Sequence, residues 1–263
     1  MKIPLYIVDA FTSTVFGGNP AAICVLDDWP DTVLLQNIAA ENFLPETAFL
    51  VKREGYYDLR WFTPVVEMDL CGHATLASAF VIFSYLDHST DSVAFETKSG
   101  RLTVERSGHQ LSMHLPSRKP DSIENAEMSA ILSDALGIAP VDLLAARDLL
   151  AVFESESQIR DMTPDMEKLK QIKDYFAVIV TAPGDMVDFV SRFFAPNAGI
   201  PEDPVTGSAH CTLIPYWVQR LGKSEMNARQ LSARGGELFC EDRGEQVKIS
   251  GEAVLFSKGE IWL

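Results

Sequence analysis

The chain has 263 residues, of which 47% are hydrophobic and 22% charged, a composition that argues against a disordered protein. Acidic residues outnumber basic ones 37 to 22, giving a net charge of −15 and a pI near 4.7. That balance argues against nucleic acid and anionic lipid as partners, yet leaves room for a small anion in a locally positive pocket.

Leu5–Ala10 reads as the first strand, and its apolar run ends at Asp9, so the N-terminus reads as structure, not as a leader. Gly17-Gly18-Asn19-Pro20 is a turn without a Gly-x-Gly-x-x-Gly pattern, so no nucleotide is implied. Residues 31–42 place Val33, Leu34, Ile38 and Ala39 on one helical face, and 47–51 read as a strand. Residues 71–85 are small and apolar on all sides, which predicts a buried helix, although the stretch is too short to span a bilayer. Strands follow at 93–95, 102–105 and 111–115. Residues 116–121, polar and proline-bearing, mark a boundary. Beyond it, Thr163-Pro164 predicts a helix cap before Met166 and Leu169, and 175–180 a strand. A second helix is expected over 207–221, kinked at Pro215, and then strands at 237–240, 247–250 and 253–256. Cys24, Cys71, Cys211 and Cys240 show no paired spacing, as in a reduced, cytoplasmic chain.

The pattern repeats after about 130 residues. Arg60-Trp61-Phe62-Thr63-Pro64 resembles Arg192-Phe193-Phe194-Ala195-Pro196. Glu67 through Ala74 aligns with Glu202 through Ala209, with three extra residues in the second loop. Pro30-Asp31 likewise matches Pro164-Asp165. The expected architecture is therefore α/β, with two pseudo-symmetric domains from an internal duplication. The first covers 1–117 and the second 118–254, ahead of a last strand at about 255–263.

In both copies a loop leads through x-Gly-x-Ala into a buried helix. Gly72 and Gly207 allow close approach of a ligand to backbone. A helix start offers unpaired N–H groups and partial positive charge, suited to a carboxylate. Two such starts on one shared cleft, with polar His73 and Ser208 in apolar surroundings, form the candidate site. Glu46, held before an apolar strand, has the setting of a general acid/base, although an exposed turn glutamate fits the pattern too. His73 reads as an acid/base or a core histidine, Asp203 as its orienter or a loop cap, and Asn19 as a substrate ligand or a turn former. His210 and Cys211 read as core. Neither Cys71-x-His73 nor His210-Cys211 has structural-zinc spacing, so no metal is expected.

Together Asp9-Ala10-Phe11-Thr12, Gly17-Gly18-Asn19-Pro20, Glu46-Thr47, Cys71-Gly72-His73-Ala74-Thr75 and the run Glu202–His210 resemble the PhzF family of phenazine-biosynthesis-like isomerases, related in fold to diaminopimelate epimerase. The motifs span residues 9 to 210. The resemblance implies two domains, each a curved, mostly antiparallel sheet round a central helix, with the C-terminal strand joining the first, usually in a homodimer working without cofactor or metal. In the PhzF enzyme a glutamate moves a proton between ring carbons of trans-2,3-dihydro-3-hydroxyanthranilate. That role falls on Glu46, with His73, Asp203 and Ser208 as companions.

The expected function is thus proton abstraction and return, a 1,3/1,5 shift or an epimerisation, on a small carboxylate-bearing metabolite. Asn19, Gly72, Gly207, Cys71 and Thr206 are the expected substrate-binding residues. The epimerase relatives use one cysteine from each half. This chain keeps Cys71, but Thr206 aligns with it, and a threonine hydroxyl is too weak an acid to replace a thiol. An amino-acid epimerase using Cys71 with another base is the alternative within enzymes. A non-catalytic metabolite-binding protein is the alternative outside them.

Overall fold

The computed structural model describes residues 1–263. The chain forms two compact units, Met1–His114 with Ile249–Leu263, and Leu115–Lys248. Both are mixed α/β, largely antiparallel sheets with few helices.

In the first unit β1 (Lys2–Ala10) pairs antiparallel with β2 (Asn19–Leu26). Helix α1 (Thr32–Asn42) then returns the chain so that β3 (Glu46–Lys52) lies parallel to β2, with Ala21 opposite Glu46. A parallel pair needs such a crossover. Asp31 starts α1 by accepting the Val33 N–H at 2.7 Å. β4 (Tyr57–Phe62) runs antiparallel to β3, and the short β5 (Glu67–Met68) pairs back on it. Helix α2 (Gly72–Val81) crosses over to β6 (Ser92–Thr97), parallel to β4. β7 (Gly100–Ser107) and β8 (Gln110–Pro116), through which the chain leaves the unit, complete a meander.

The second unit opens with β9 (Asp121–Ser122), α3 (Ala126–Leu136) and β10 (Asp142–Ala145). β11 (Leu149–Val152) is antiparallel to β10. Helices α4 (Glu156–Arg160) and α5 (Met166–Leu169) precede β12 (Val178–Pro183), parallel to β11. β13 (Phe189–Phe194) is antiparallel to β12. Helix α6 (Gly207–Leu221) crosses to β14 (Glu225–Gln230), parallel to β13, and β15 (Gly236–Asp242) is antiparallel to β14. The succession of antiparallel and parallel pairings matches the first unit's. β16 (Gln246–Gly251) carries the chain back to the first unit, where β17 (Ala253–Trp262) pairs with β1 along its whole length.

The cap of α5 is Asp165, which accepts the N–H groups of Glu167 and Lys168, whereas Thr163 was expected. The aspartate reaches two donors and so displaces the threonine two residues earlier. The helix expected over 71–85 ends at Val81 and continues as a π-helical turn over Ile82–Leu86. Pro215 sits inside a continuous α6. It has no N–H to offer the Cys211 carbonyl four residues back, and the backbone N–H of Arg118 serves that carbonyl at 2.8 Å.

Candidate functional site

Strand alternation positions Glu46. Phe49 and Val51 join Leu35, Ile38 and Ala39 of α1 in one apolar cluster. Glu46, Ala48 and Leu50 therefore point to the opposite sheet face, against which α2 packs. There the Glu46 Oε2 lies 3.1 Å from His73 Nε2, both side chains less than a tenth exposed. The other imidazole nitrogen, Nδ1, lies 3.1 Å from the Asn19 amide nitrogen and 3.6 Å from Cys71 Sγ. Asn19 enters β2 from a constrained turn. Gly18 has φ +62°, and a Cβ there would lie 2.1 Å from the Ala10 carbonyl oxygen. Phe11 and Phe16 in the same loop also adopt positive φ, a strain that the loop retains beside the site.

Burial opposes charge on His73, and Cys71 and Glu46 together outweigh it, so the imidazole is held well above its ordinary range. Burial and the Glu46 carboxylate push the Cys71 thiol up, so it stays protonated near neutrality. With Asn19 donating to Nδ1, the neutral ring carries its proton on Nε2, the nitrogen 3.1 Å from Glu46. With the amide turned, Asn19 accepts from the charged ring instead. The donor atoms of Glu46, Cys71 and His73 lie within 4.8 Å of one another. Glu46 and Cys71, however, approach opposite imidazole nitrogens, and one ion can take only one of those. The arrangement suits a chain that passes protons better than a metal cage.

The second unit builds a different set at the start of α6. Thr206 donates its hydroxyl to Asp203 Oδ2 at 2.5 Å. Gln230, buried at the end of β14, receives the Thr206 N–H and donates to the Asp203 carbonyl at 2.7 Å. Ser208 is half-buried, and its hydroxyl accepts a hydrogen bond from Arg147 at 3.3 Å. His210 donates from Nδ1 to the Thr206 carbonyl at 2.9 Å. Burial pushes it down to about 4, so it stays neutral. Burial likewise lifts the Cys211 thiol to about 11. Neither α2 nor α6 has a side-chain cap, which leaves N–H groups at Gly72 and Gly207 for a ligand.

Sequence reasoning missed Gln230, whose only signal is a polar side chain at an inward position of an alternating strand. It also missed the clamps that hold both loops. Arg60 grips Glu67 through Nε (2.7 Å) and Nη2 (2.9 Å), and Arg192 grips Glu202 in the same way at 2.7 and 3.1 Å. In each case the arginine stands on the strand and the glutamate on the segment that leads to the glycine-started helix. The extra residues of the second loop include a 3₁₀ turn, Pro196–Ala198.

The sequence pattern of the PhzC-PhzF phenazine biosynthesis-like proteins matches residues 8–259. The chain belongs to this family. It is 49% identical over its full length to an uncharacterized isomerase of Pseudomonas aeruginosa, all of which it covers. The crystal structure of a PhzF-family protein from Enterococcus faecalis superposes with a TM-score of 0.97 at 47% identity, both chains covered completely. A probable proline racemase from Agrobacterium radiobacter, 10% identical, gives 0.66 over 99% of this chain and 93% of its own, which places the fold beside the racemases. No helix is long and apolar enough to cross a membrane.

Proposed function

We propose that the chain is a PhzF-type isomerase that takes a proton from one carbon of a small carboxylate-bearing metabolite and returns it elsewhere on the same molecule. The observation that carries this reading is the buried Glu46–His73 pair, 3.1 Å apart at the start of α2. Glu46 accepts the proton as the carbanion forms, and the uncapped start of α2 stabilises the developing negative charge. The resulting glutamic acid, whose proton exchanges with water, then gives a proton back at the second carbon, so the reaction needs no net proton and no cofactor or metal. His73, anchored by Asn19, orients Glu46. Asp203 and Ser208 are the companion polar residues from the second half. Gly72, Gly207, Cys71 and Thr206 contribute to binding. The repeated pairing order and the paired arginine clamps support an origin by duplication, the four free cysteines support a cytoplasmic setting, and the family resemblance supports a homodimer.

The proximity of Cys71 to His73, 3.6 Å, favours a second reading, an epimerase with Cys71 as one of its bases. Its protonated thiol, and Thr206 at the aligned position, weigh against it. The deciding experiment is exchange in D2O, with wild type and Glu46→Gln incubated with a metabolite extract and with trans-2,3-dihydro-3-hydroxyanthranilate. Uptake of one deuterium that depends on Glu46 supports the reading. Uptake that survives the substitution overturns it.

A further inference from the structure

The loop before β11 carries a guanidinium that the proposed reaction does not use. Arg147 donates from Nε and Nη2 to both oxygens of Asp148, at 3.1 and 3.0 Å, and its Nη2 reaches Ser208 Oγ. It also lies over the Phe176 ring, 4.7 Å from its centroid. Asp148 is completely buried, whereas the Arg147 side chain is 36% exposed. Its carboxylate and an aromatic ring thus fix the guanidinium in place, and Nη1 makes no hydrogen bond to protein. A second arginine stands nearby. The backbone of Arg118 is tied to Cys211, one turn along α6 from Ser208, and its Nη1 is buried without a hydrogen-bond partner. An unpaired guanidinium N–H in a buried position is costly, and an anion satisfies it. Two cations against one buried carboxylate leave this corner of an acidic protein locally positive.

The strand register shows what Arg147 replaces. Leu149 pairs with Val178 as Ala22 pairs with Thr47, so Arg147 occupies the place in the second unit that Pro20, beside Asn19 at the start of β2, occupies in the first. Asn19 touches His73, the second residue of α2, and Arg147 touches Ser208, the second residue of α6. One unit thus sets a neutral amide against the start of its helix and the other sets a cation there.

We infer that Arg147 is a specificity-determining residue that receives the carboxylate of the substrate beside Ser208 and the α6 start. This rests on the proposed isomerase reading and deepens it. The pairing with Asp148 neutralises a buried charge, and the exposed face of the guanidinium remains free to bind a second carboxylate. Substrates of the same shape with a neutral amide in place of the carboxylate are discriminated against.

The test uses the intact protein and two probes of nearly equal shape, anthranilate and anthranilamide, with affinities measured by calorimetry. Wild type is expected to prefer anthranilate by about tenfold or more, the size of a charge-assisted pair. Arg147→Gln brings the two affinities within about twofold of each other, and Arg147→Lys restores part of the gap. Because Arg147→Gln strands the buried Asp148, the double variant Arg147→Gln/Asp148→Asn serves as a control for folding and is expected to lack the preference too. Asp148→Asn alone keeps it. A preference that persists in Arg147→Gln, or a wild type that binds anthranilate no better than the amide, overturns the assignment. Glu46→Gln separates this from the reaction itself. A Glu46→Gln protein that still exchanges deuterium defeats the isomerase reading while leaving the Arg147 result standing.

Discussion

His73 and His210 lie in the first turn of corresponding helices, both buried, and the two protein environments drive them in opposite directions. Glu46 stands beside His73 and helps hold it charged. His210 instead meets the Thr206 carbonyl at Nδ1 and the Phe189 ring, and burial keeps it neutral. The residue aligned with His210 in the first unit is Thr75, which donates to the Cys71 carbonyl at 2.5 Å, the same position that His210 serves in α6. His210 thus does the work of a threonine, closing a helix start, while His73 is coupled to an acid. A buried histidine becomes reactive because of what faces it, and that partner comes from a distant strand.

Removing the partner is the strongest way to break the comparison. Glu46→Gln keeps the shape of the side chain and eliminates the proton carrier. It is expected to lower turnover by about 10³- to 10⁴-fold, the range for a general acid/base. The melting temperature should change little, and steady-state kinetics beside thermal unfolding separates the two effects. Turnover within tenfold of wild type would make Glu46 and Asp203 equally peripheral and erase the distinction between the units.

The opposite titration of the two histidines predicts a pH dependence. Above about pH 6.5 both folded and unfolded chains hold His210 neutral, and it contributes no slope. As the pH falls from 6.5 towards 4, the unfolded chain takes up a proton that the folded chain refuses, and stability is lost. The loss saturates near 3 kcal/mol by the linkage of about 1.4 kcal/mol per unit. His210→Gln should flatten this acid limb in denaturant titrations. His73 has the reverse sign, since its stabilisation is complete below its ordinary value and is lost as the pH rises through its raised one. An unchanged acid limb in His210→Gln would show that His210 charges freely in the fold.

Much of this was legible in the sequence because it is local. The two x-Gly-x-Ala helix starts and the buried character of α2 follow from spacing within a single element, and so does part of the α1 face: Ile38 and Ala39 are buried and Leu34 half-buried, but Val33, expected with them, is 66% exposed and Leu35 takes its place in the core. Glu46 was equally consistent with an exposed turn until β2 and β3 paired and carried it to the α2 face. That placement depends on register between segments separated by a whole helix. Arg147 and Gln230 had no local signal, for one lies in a loop and the other at a strand end, and their partners Ser208, Asp203 and Thr206 are distant in sequence. The arginines of the repeat were visible as a motif, but their grip on Glu67 and Glu202 was not.

Those clamps offer a subtler contrast. Arg192 also donates from Nη1 to the carbonyls of Ile159 and Met162, at 3.1 and 2.7 Å, and only 11% of its side chain is exposed. Arg60 has Thr32 as its further partner, and Glu67 keeps Lys98 when Arg60 is removed. Arg192→Met should therefore cost more stability than Arg60→Met by about 1–2 kcal/mol, since it strands buried acceptors as well as a carboxylate. Equal losses in urea titrations would mean that the carbonyl contacts contribute nothing.

The smallest expected effect concerns Cys71. Its thiol is buried and held protonated, and its contact with His73 Nδ1 duplicates one that Asn19 already makes. Cys71→Ser keeps a hydrogen-bonding group at that position, so turnover should stay within about threefold of wild type if Glu46 alone carries the proton. A thiol acting as one of two bases gives the opposite result. Serine's hydroxyl is far too weak an acid to exchange protons near neutrality, and turnover would then fall as steeply as in Glu46→Gln. Measuring the two variants side by side on the same substrate decides which side chain in the first unit carries the proton, because the two mechanisms exchange the expected order of the losses.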